Sequence, residues 1–137
     1  MKRRVVITGM GVVSPIGNNV EEVWDALQEG RCGIGKVTHF DTSEFRAKLA
    51  GEVKDLDMEQ YFTKRELKFN DRFTQFARIA AKQAYADSGL SEDTIKADAF
   101  GVILGSGIGG IATIEGASTT LKDRGPSRVS PYFIPMA

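Results

Sequence analysis

The sequence contains one cysteine, Cys32, and one histidine, His39. A lone cysteine cannot form an internal disulfide, and these two residues do not fit any standard spacing of metal ligands. We therefore expect neither a disulfide nor a metal site in this chain. His39, which lies beside Phe40 and Asp41, is interpreted as a surface or packing histidine.

The chain also lacks net charge and long apolar runs. Lysine plus arginine number 18, as do aspartate plus glutamate, so overall charge gives no reason to expect nucleic acid or an anionic membrane as a partner. No stretch approaches the ~20 apolar residues of a membrane span. The charged start, residues 1–4, is followed by only three apolar residues, fewer than the ~7–15 of an export signal. We expect a cytoplasmic protein.

The 137 residues, 42% of them hydrophobic, suffice for the core of at most one domain. β-branched apolar runs predict buried strands at residues 4–8 and 100–104. Residues 31–57 have a weak pattern and are predicted to be mostly loop, with a short strand at 49–53. The order strand, helix, helix, strand, helix predicts an α/β fold with mostly parallel strands.

The sequence predicts three helices, the first two from capping residues and the third from the glycine segment before it. Asn19, followed three residues later by Glu22, begins the first, which ends at Gly30. Asn70 or Asp71 begins a longer helix that closes at residues 88–90, and its repeated alanines imply close approach to a neighbouring element. The third follows Gly110 and ends near residue 125. A further helical turn is expected at Ser91, and the tail, with three prolines in residues 126–135, is predicted to be an ordered loop.

Two glycine motifs follow the predicted strands. Residues 105–110 satisfy G-x-G-x-x-G between a strand and a helix, the context of a dinucleotide-binding turn. Asp123 has the spacing of a ribose-binding acid but falls at the end of a helix. Gly9 and Gly11 precede a proline-containing turn that leaves no helix to present amides to a pyrophosphate. Close packing is favoured for residues 9–11, whereas at 105–110 packing and dinucleotide binding remain open.

Several motifs in order give the sequence a family resemblance. They are residues 5–11 (VVITGMG) with 14–18 (SPIGN), residues 71–75 (DRFTQ), residues 105–110 (GSGIGG), and the segment 125–135, which includes GP, RVSP and FIP. Together they resemble β-ketoacyl-[acyl-carrier-protein] synthase II, an elongating condensing enzyme of the thiolase-like superfamily. The resemblance runs over all 137 residues.

The resemblance implies a layered α-β-α-β-α fold, a homodimer, and no metal or cofactor. It implies a cysteine that takes an acyl chain from acyl carrier protein, and two histidines that help decarboxylate malonyl-carrier protein. We expect none of these three residues in this chain, because the family's cysteine and histidines belong to segments beyond Ala137. Cys32 has no counterpart as a nucleophile and is interpreted as an incidental thiol. The chain is expected to be about a third of the family's length and to be inactive alone.

Binding residues are carried over by the same resemblance. Ile108 matches a position that borders the acyl pocket and moves to admit a chain, and Gly107 and Gly109 suit a hinge. Phe133 matches an aromatic residue that reaches the partner subunit's pocket. Docking of the acidic carrier protein is implied for a short helix that carries Lys64, Arg65 and Lys68 and matches the family's docking helix, with Arg128 as a further match. Phe69 and Ser127 stand where relatives often carry a base, so docking is expected to be weaker or shifted toward Lys122 and Arg124.

Two other functions remain open. One is a small dinucleotide-binding module that uses Gly105 to Gly110. The other is a non-catalytic partner subunit of the same fold, similar to the chain-length factors of polyketide systems, which the residue at the family's cysteine position would distinguish.

Overall fold

The computed structural model describes residues 3–137, so Met1 and Lys2 of the charged start lie outside it. Within these residues the chain forms five α-helices and one antiparallel pair of strands. The elements are α1 (Val20–Gln28), β1 (Ile34–Lys36), β2 (Leu49–Gly51), α2 (Lys64–Phe69), α3 (Arg72–Asp87), α4 (Ile111–Arg124) and α5 (Phe133–Met136). Single turns of 3-10 helix occur at Met58–Gln60, Ala97–Ala99 and Pro126–Arg128.

Contacts divide the chain into two compact units. The first unit extends to Leu56 and includes Ile79–Lys96, and the second comprises Asp57–Arg78 and Ala97–Ala137. Ala26 and Ile79 are fully buried in the first unit, whereas Phe62 and the polar Gln75 are buried in the second. No helix in the described part of the chain is long and apolar enough to cross a membrane.

The predicted capping of α1 is confirmed. The Asn19 side chain accepts a hydrogen bond from the backbone N–H of Glu22 at 2.8 Å, which satisfies a donor that the first turn leaves without an intrahelical acceptor. Glu22 in turn accepts from the backbone N–H of Asn18 at 2.7 Å. The helix ends before Gly30, whose φ is +65°. α3 and α4 also lie where the sequence predicts them, and a turn forms at Ser91, whose carbonyl accepts from Thr94 N–H at 3.0 Å.

Gly9 and Gly11 pack against the backbone of α3, as the close-packing interpretation predicts. A Cβ added at Gly11 would lie 2.7 Å from the backbone nitrogen of Ala84 and closer still to the carbonyl oxygen of Ala80. Side chains of α3 hold the same segment, because Gln83 accepts from the backbone N–H of Val12 at 2.9 Å. The alanines of α3 therefore mark a close approach between helix and turn.

The predicted strands at residues 4–8 and 100–104 are wrong for this structure, since neither segment is a strand. Val5 is 92% exposed and Ile103 is 97% exposed. A buried strand needs neighbouring strands for its backbone groups and covering layers for its side chains, and no described residue pairs with either segment. These runs have the composition of core strands but lack partners.

The sheet that does form is antiparallel, so the prediction of mostly parallel strands is wrong for residues 3–137. Ile34 pairs with Gly51 and Lys36 with Leu49. β2 falls inside the predicted strand at 49–53, whereas β1 lies in a region predicted to be loop. Three residues with a central glycine give no readable alternation, which is why sequence analysis missed β1.

The tail is more helical than its prolines predict. Pro126 opens the 3-10 turn, and Pro135 lies within α5. The first turn of a helix has no intrahelical acceptor for its N–H groups, so proline is tolerated there. The prediction of a non-helical tail is therefore wrong for Phe133–Met136, because Pro135 is the third residue of a four-residue helix.

Candidate functional site

The residues for which sequence analysis predicts a role all belong to the second unit. They are Ile108, Phe133, Gly107, Gly109, Lys64, Arg65, Lys68 and Arg128. Phe133 and Arg128 line one cavity of about 250 Å³ between α4 and the tail. Two small residues of α4, Gly116 and Ala117, also line this cavity. The structure thus brings the aromatic and one predicted docking base to the same cavity.

The glycine turn before α4 is fixed at one end and open at the other. Gly109 has φ +77° and its N–H donates to the Ser106 hydroxyl at 2.9 Å. The N–H of Gly110 donates to the Ala137 carbonyl at 2.8 Å. By contrast, a Cβ at Gly107 would meet no atom within 4 Å, and Ile108 is 67% exposed. The turn therefore presents an apolar side chain next to an unconstrained glycine.

Asp71 lies at the amino end of α4. Its carboxylate accepts from the hydroxyl of Thr113 in the first turn, and a Cβ at Gly110 would lie 3.0 Å from the Asp71 Cγ. Negative charge is stabilised at a helix amino end, which is also where a dinucleotide fold holds its pyrophosphate. Here a carboxylate takes that place. In the sequence, Asp71 is a possible cap of α3 and part of the 71–75 motif, but its contact with Thr113 spans 42 residues and cannot be predicted from spacing.

The predicted docking helix, α2, exposes three basic side chains. Lys64, Arg65 and Lys68 are all exposed, and none has a carboxylate within 4.0 Å among residues 3–137. Arg128 is exposed as well. These four cations are available to an external anion.

Glu66 is the acidic residue among these bases, and both of its oxygens are engaged. One accepts from the backbone N–H and hydroxyl of Thr63 at 2.9 and 3.0 Å, and the other accepts from the Arg78 guanidinium at 2.9 Å. These bonds, first that from the Thr63 N–H and then that from Arg78, lower the pKa of Glu66 from its ordinary 4.5 to about 2. Glu66 is therefore ionised and paired at neutral pH. Glu66 is not among the residues with a role predicted from the sequence.

Phe69 packs against the tail. Its ring centroid lies 4.4 Å from that of Tyr132, with the rings tilted by 48°, and the Lys68 ammonium lies 5.7 Å from the Phe69 centroid. Phe69 thus joins α2 to the residue before α5. Ser127, the other departure from the family pattern, is exposed in the 3-10 turn, and Lys122 and Arg124 occupy the last turn of α4.

Cys32 and His39 both lie in the first unit, which holds none of the residues above. Cys32 is an exposed thiol, and His39 is exposed with its Nε2 3.9 Å from a Glu52 oxygen. The pKa of Glu52 is lowered mainly by a hydrogen bond from the backbone N–H of Thr38. Among residues 3–137 no three side chains of the metal-binding types form a cluster.

Comparison with known proteins identifies a family. Residues 2–137 match the family described as Beta-ketoacyl synthase, N-terminal domain. The 3-oxoacyl-[acyl-carrier-protein] synthase 2 of Synechocystis sp. is 47% identical over 135 residues, which are 98% of this chain and 32% of the relative. The protein of the same name from Vibrio cholerae is 48% identical over 134 residues, again 98% and 32%. The chain thus spans about a third of the length of these curated relatives.

Solved structures agree on the fold. The ishigamide ketosynthase/chain length factor has a TM-score of 0.80 at 32% identity and covers 99% of this chain and 34% of its own. A β-ketoacyl synthase from Burkholderia phymatum has a TM-score of 0.74 at 28% identity, and the match covers 96% of this chain and 33% of that one. A type II polyketide ketosynthase in complex with its acyl-carrier protein has a TM-score of 0.78, and the match covers 98% of this chain and 35% of that one. Because it is only 23% identical, this structure is evidence for the fold alone. The chain belongs to the β-ketoacyl synthase family, and residues 2–137 match the family's amino-terminal domain.

Proposed function

We propose that this chain is the amino-terminal third of a 3-oxoacyl-[acyl-carrier-protein] synthase of type II fatty-acid biosynthesis. The observation that carries the proposal is the identity of 47–48% with synthases of that name along 98% of the chain. The full-length protein would condense malonyl-carrier protein with an acyl chain held as a cysteine thioester. Decarboxylation releases CO₂ and leaves a carbanion, which attacks the thioester carbonyl and expels the cysteine thiolate. The cysteine and two histidines lie outside these 137 residues in this proposal.

In this chain, Ile108 is proposed as the residue that borders the acyl pocket and moves to admit the fatty chain. An apolar side chain that is 67% exposed beside the open Gly107 supports that role, because glycine imposes little restraint on backbone rotation. Gly109 is the less mobile end of the hinge, since its neighbour Gly110 is bonded to the tail. Phe133 is proposed to reach the pocket of a partner subunit, and the proposal includes a homodimer located in the cytoplasm.

The test is condensation by the full-length gene product, assayed with radiolabelled malonyl-carrier protein and acyl primers of increasing length. We expect activity from the full-length protein and none from the 137-residue chain. In the full-length protein, Ile108→Trp should reduce turnover of long primers by about tenfold or more relative to short ones, because a bulkier side chain fills the space that the acyl chain needs. Ile34→Trp in β1 is the matched control and should keep the wild-type profile. An equal loss of turnover on all primers would contradict the proposed role of Ile108 in admitting the acyl chain.

The dinucleotide alternative meets a physical obstacle at α4. A pyrophosphate placed at this helix end would face the Asp71 carboxylate, which is bonded to the Thr113 hydroxyl and lies where a side chain at Gly110 would point. The negative charges of the pyrophosphate and of the Asp71 carboxylate would then be close together and would repel each other. We therefore expect isothermal titration of the chain with NAD to give no heat of binding up to millimolar ligand. Saturable binding that Gly107→Val abolishes would favour the dinucleotide function instead.

A non-catalytic partner subunit is the second alternative. The structure named for a ketosynthase and chain length factor is 32% identical to this chain, whereas the curated synthases are 47–48% identical. The higher identity favours the synthase. The residue at the family's cysteine position, read from the codons that follow Ala137 in the gene, separates the two.

The proposed partner of α2 is acyl carrier protein, an acidic protein. Lys64, Arg65 and Lys68 are exposed and have no ion-pair partner among residues 3–137, which supports this proposal, because a basic patch on a chain without net charge is what an acidic partner would recognise. Arg128 lies at the cavity that Phe133 lines, where it could meet the same partner.

A further inference from the structure

We propose that Glu66, although it is acidic and lies within the basic surface, is a positioning residue for carrier-protein docking. Through Arg78 it fixes α2 to α3, so that Lys64, Arg65 and Lys68 are presented in one orientation. This inference rests on the proposed function, in which α2 is the docking helix.

α2 cannot maintain its own shape. It has six residues, and an isolated helix shorter than ~12–15 residues is marginal in water. None of its residues is fully buried, and its aromatic contact, between Phe69 and Tyr132, lies at its carboxyl end. The geometry of its amino end must therefore come from polar contacts with its surroundings.

Glu66 supplies the contacts at the amino end of the helix. Its side chain accepts from the N–H of Thr63, and the Thr63 hydroxyl accepts in return from the Glu66 backbone N–H at 3.3 Å. This reciprocal capping box satisfies two donors that the helix end would otherwise expose. The remaining Glu66 oxygen is free to bond outside the helix, and it bonds to Arg78.

Arg78 is well placed to hold that oxygen. It belongs to α3, a helix of 16 residues, and its guanidinium lies 4.7 Å from the ring centroid of the buried Phe62. The Glu66–Arg78 pair is the one ion pair between two helices in the described part of the chain. Since both side chains are only about a third exposed, the pair is screened less than a fully exposed one.

The carboxyl end of α2 is held by its C-cap residue, Asn70, and by Gln75 of α3. Asn70 donates from its backbone and its side chain to the Glu66 carbonyl at 3.0 and 2.8 Å. The buried Gln75 donates to the carbonyls of Asn70 and Leu67 at 2.7 and 3.3 Å. With this end fixed by uncharged groups, the Glu66–Arg78 pair determines the direction of the other end.

The directions of the side chains around the axis of α2 explain why an acidic residue can lie in this helix without weakening its basic surface. At about 100° per residue, Lys64, Lys68 and Arg65 fall within an arc of about 100°, and Glu66 lies about 100° beyond it. The Glu66 charge is directed toward Arg78 and is balanced by it. Two opposite expectations follow. If only net charge mattered, removing this acid would strengthen binding of an acidic partner, whereas loss of positioning would weaken it.

The experiment measures steady-state condensation by the full-length gene product with carrier-borne substrates. Glu66→Gln keeps an acceptor for Thr63 but removes the charge that pairs with Arg78. We expect its KM for the carrier-borne substrate to rise roughly three- to tenfold with kcat changed less than twofold. Glu59→Gln is the matched control, since it removes the same charge from an exposed residue of the second unit with no ion-pair partner among residues 3–137. Its KM should stay equal or fall slightly.

Arg78 variants complete the test. Arg78→Gln should raise the KM as much as Glu66→Gln does. The KM of the double variant should not exceed that of the single variant with the higher KM, because both changes break the same pair. Arg78→Lys should restore most of the wild-type KM. If Glu66→Gln does not fold, Arg78→Gln carries the same expectation. A KM that falls in Glu66→Gln as it does in Glu59→Gln would overturn the positioning role. The proposed function fails separately, if the wild-type protein shows no carrier-dependent condensation.

Discussion

Gly11→Ala is expected to destabilise the protein by about 3 kcal/mol, the upper end of the usual cost of overpacking. The added Cβ would lie 2.7 Å from the Ala84 nitrogen and 2.8 Å from the Gln83 Cβ, and closer still to the Ala80 carbonyl oxygen. Two of these atoms are backbone of α3 and cannot move without breaking its hydrogen bonds. The segment must therefore separate from the helix, and the bond from Val12 N–H to Gln83 would be lost with it.

Gly116→Ala provides the matched control. Gly116 lies inside α4, and a Cβ there would meet no atom within 4 Å. Since alanine is favoured over glycine in a helix interior by about 0.8–1 kcal/mol, this variant should be slightly more stable than the wild type. Urea unfolding followed by circular dichroism measures both. A Gly11→Ala midpoint equal to that of the wild type would show that the turn does not pack on α3 as described.

Local signals explain which parts of the fold the sequence could predict. The cap of α1 is a contact between Asn19 and Glu22, three residues apart, and such contacts can be read from spacing alone. The start of α3 is predicted from the capping residue types of Asn70 and Asp71, whereas α4 is predicted from the glycines before it, and its cap, Gly110, makes no side-chain hydrogen bond. Strands differ because their hydrogen bonds join distant segments. The apolar runs at 4–8 and 100–104 have strand composition, yet no described residue pairs with them.

The same distinction applies to the candidate site. The bases of α2 and the glycine turn before α4 are local features, and the sequence places them correctly on a helix and at a helix start. The contacts that organise them are not local. Asp71 meets Thr113 across 42 residues, and Phe69 meets Tyr132 from another part of the chain. No spacing rule connects such pairs, so only the folded chain shows that Phe69 is a packing residue.

Reversing the docking charges should have the largest effect on function. In the full-length protein, the triple variant Lys64→Glu, Arg65→Glu and Lys68→Glu is expected to raise the KM for carrier-borne substrates by about 100-fold, because charge-guided association contributes factors of 10–10³. These exposed residues have no ion-pair partner among residues 3–137, so their substitution breaks no salt bridge there. Rising salt should increase the wild-type KM and leave that of the variant flat or lower, since screening weakens attraction and repulsion alike.

A control with the same change in net charge separates local from global electrostatics. Lys36→Glu, Arg46→Glu and Lys48→Glu reverse three exposed bases of the first unit, and this triple variant should change the KM less than threefold. Because these 137 residues carry no net charge, they exert no general attraction on an acidic protein, and any attraction by this part of the protein depends on the position of its bases. Equal defects in the two triple variants would mean that α2 is not the docking helix. A large defect confined to the α2 variant, with kcat preserved, is the result that the exposed bases of α2 and the pairing of Glu66 with Arg78 lead us to expect.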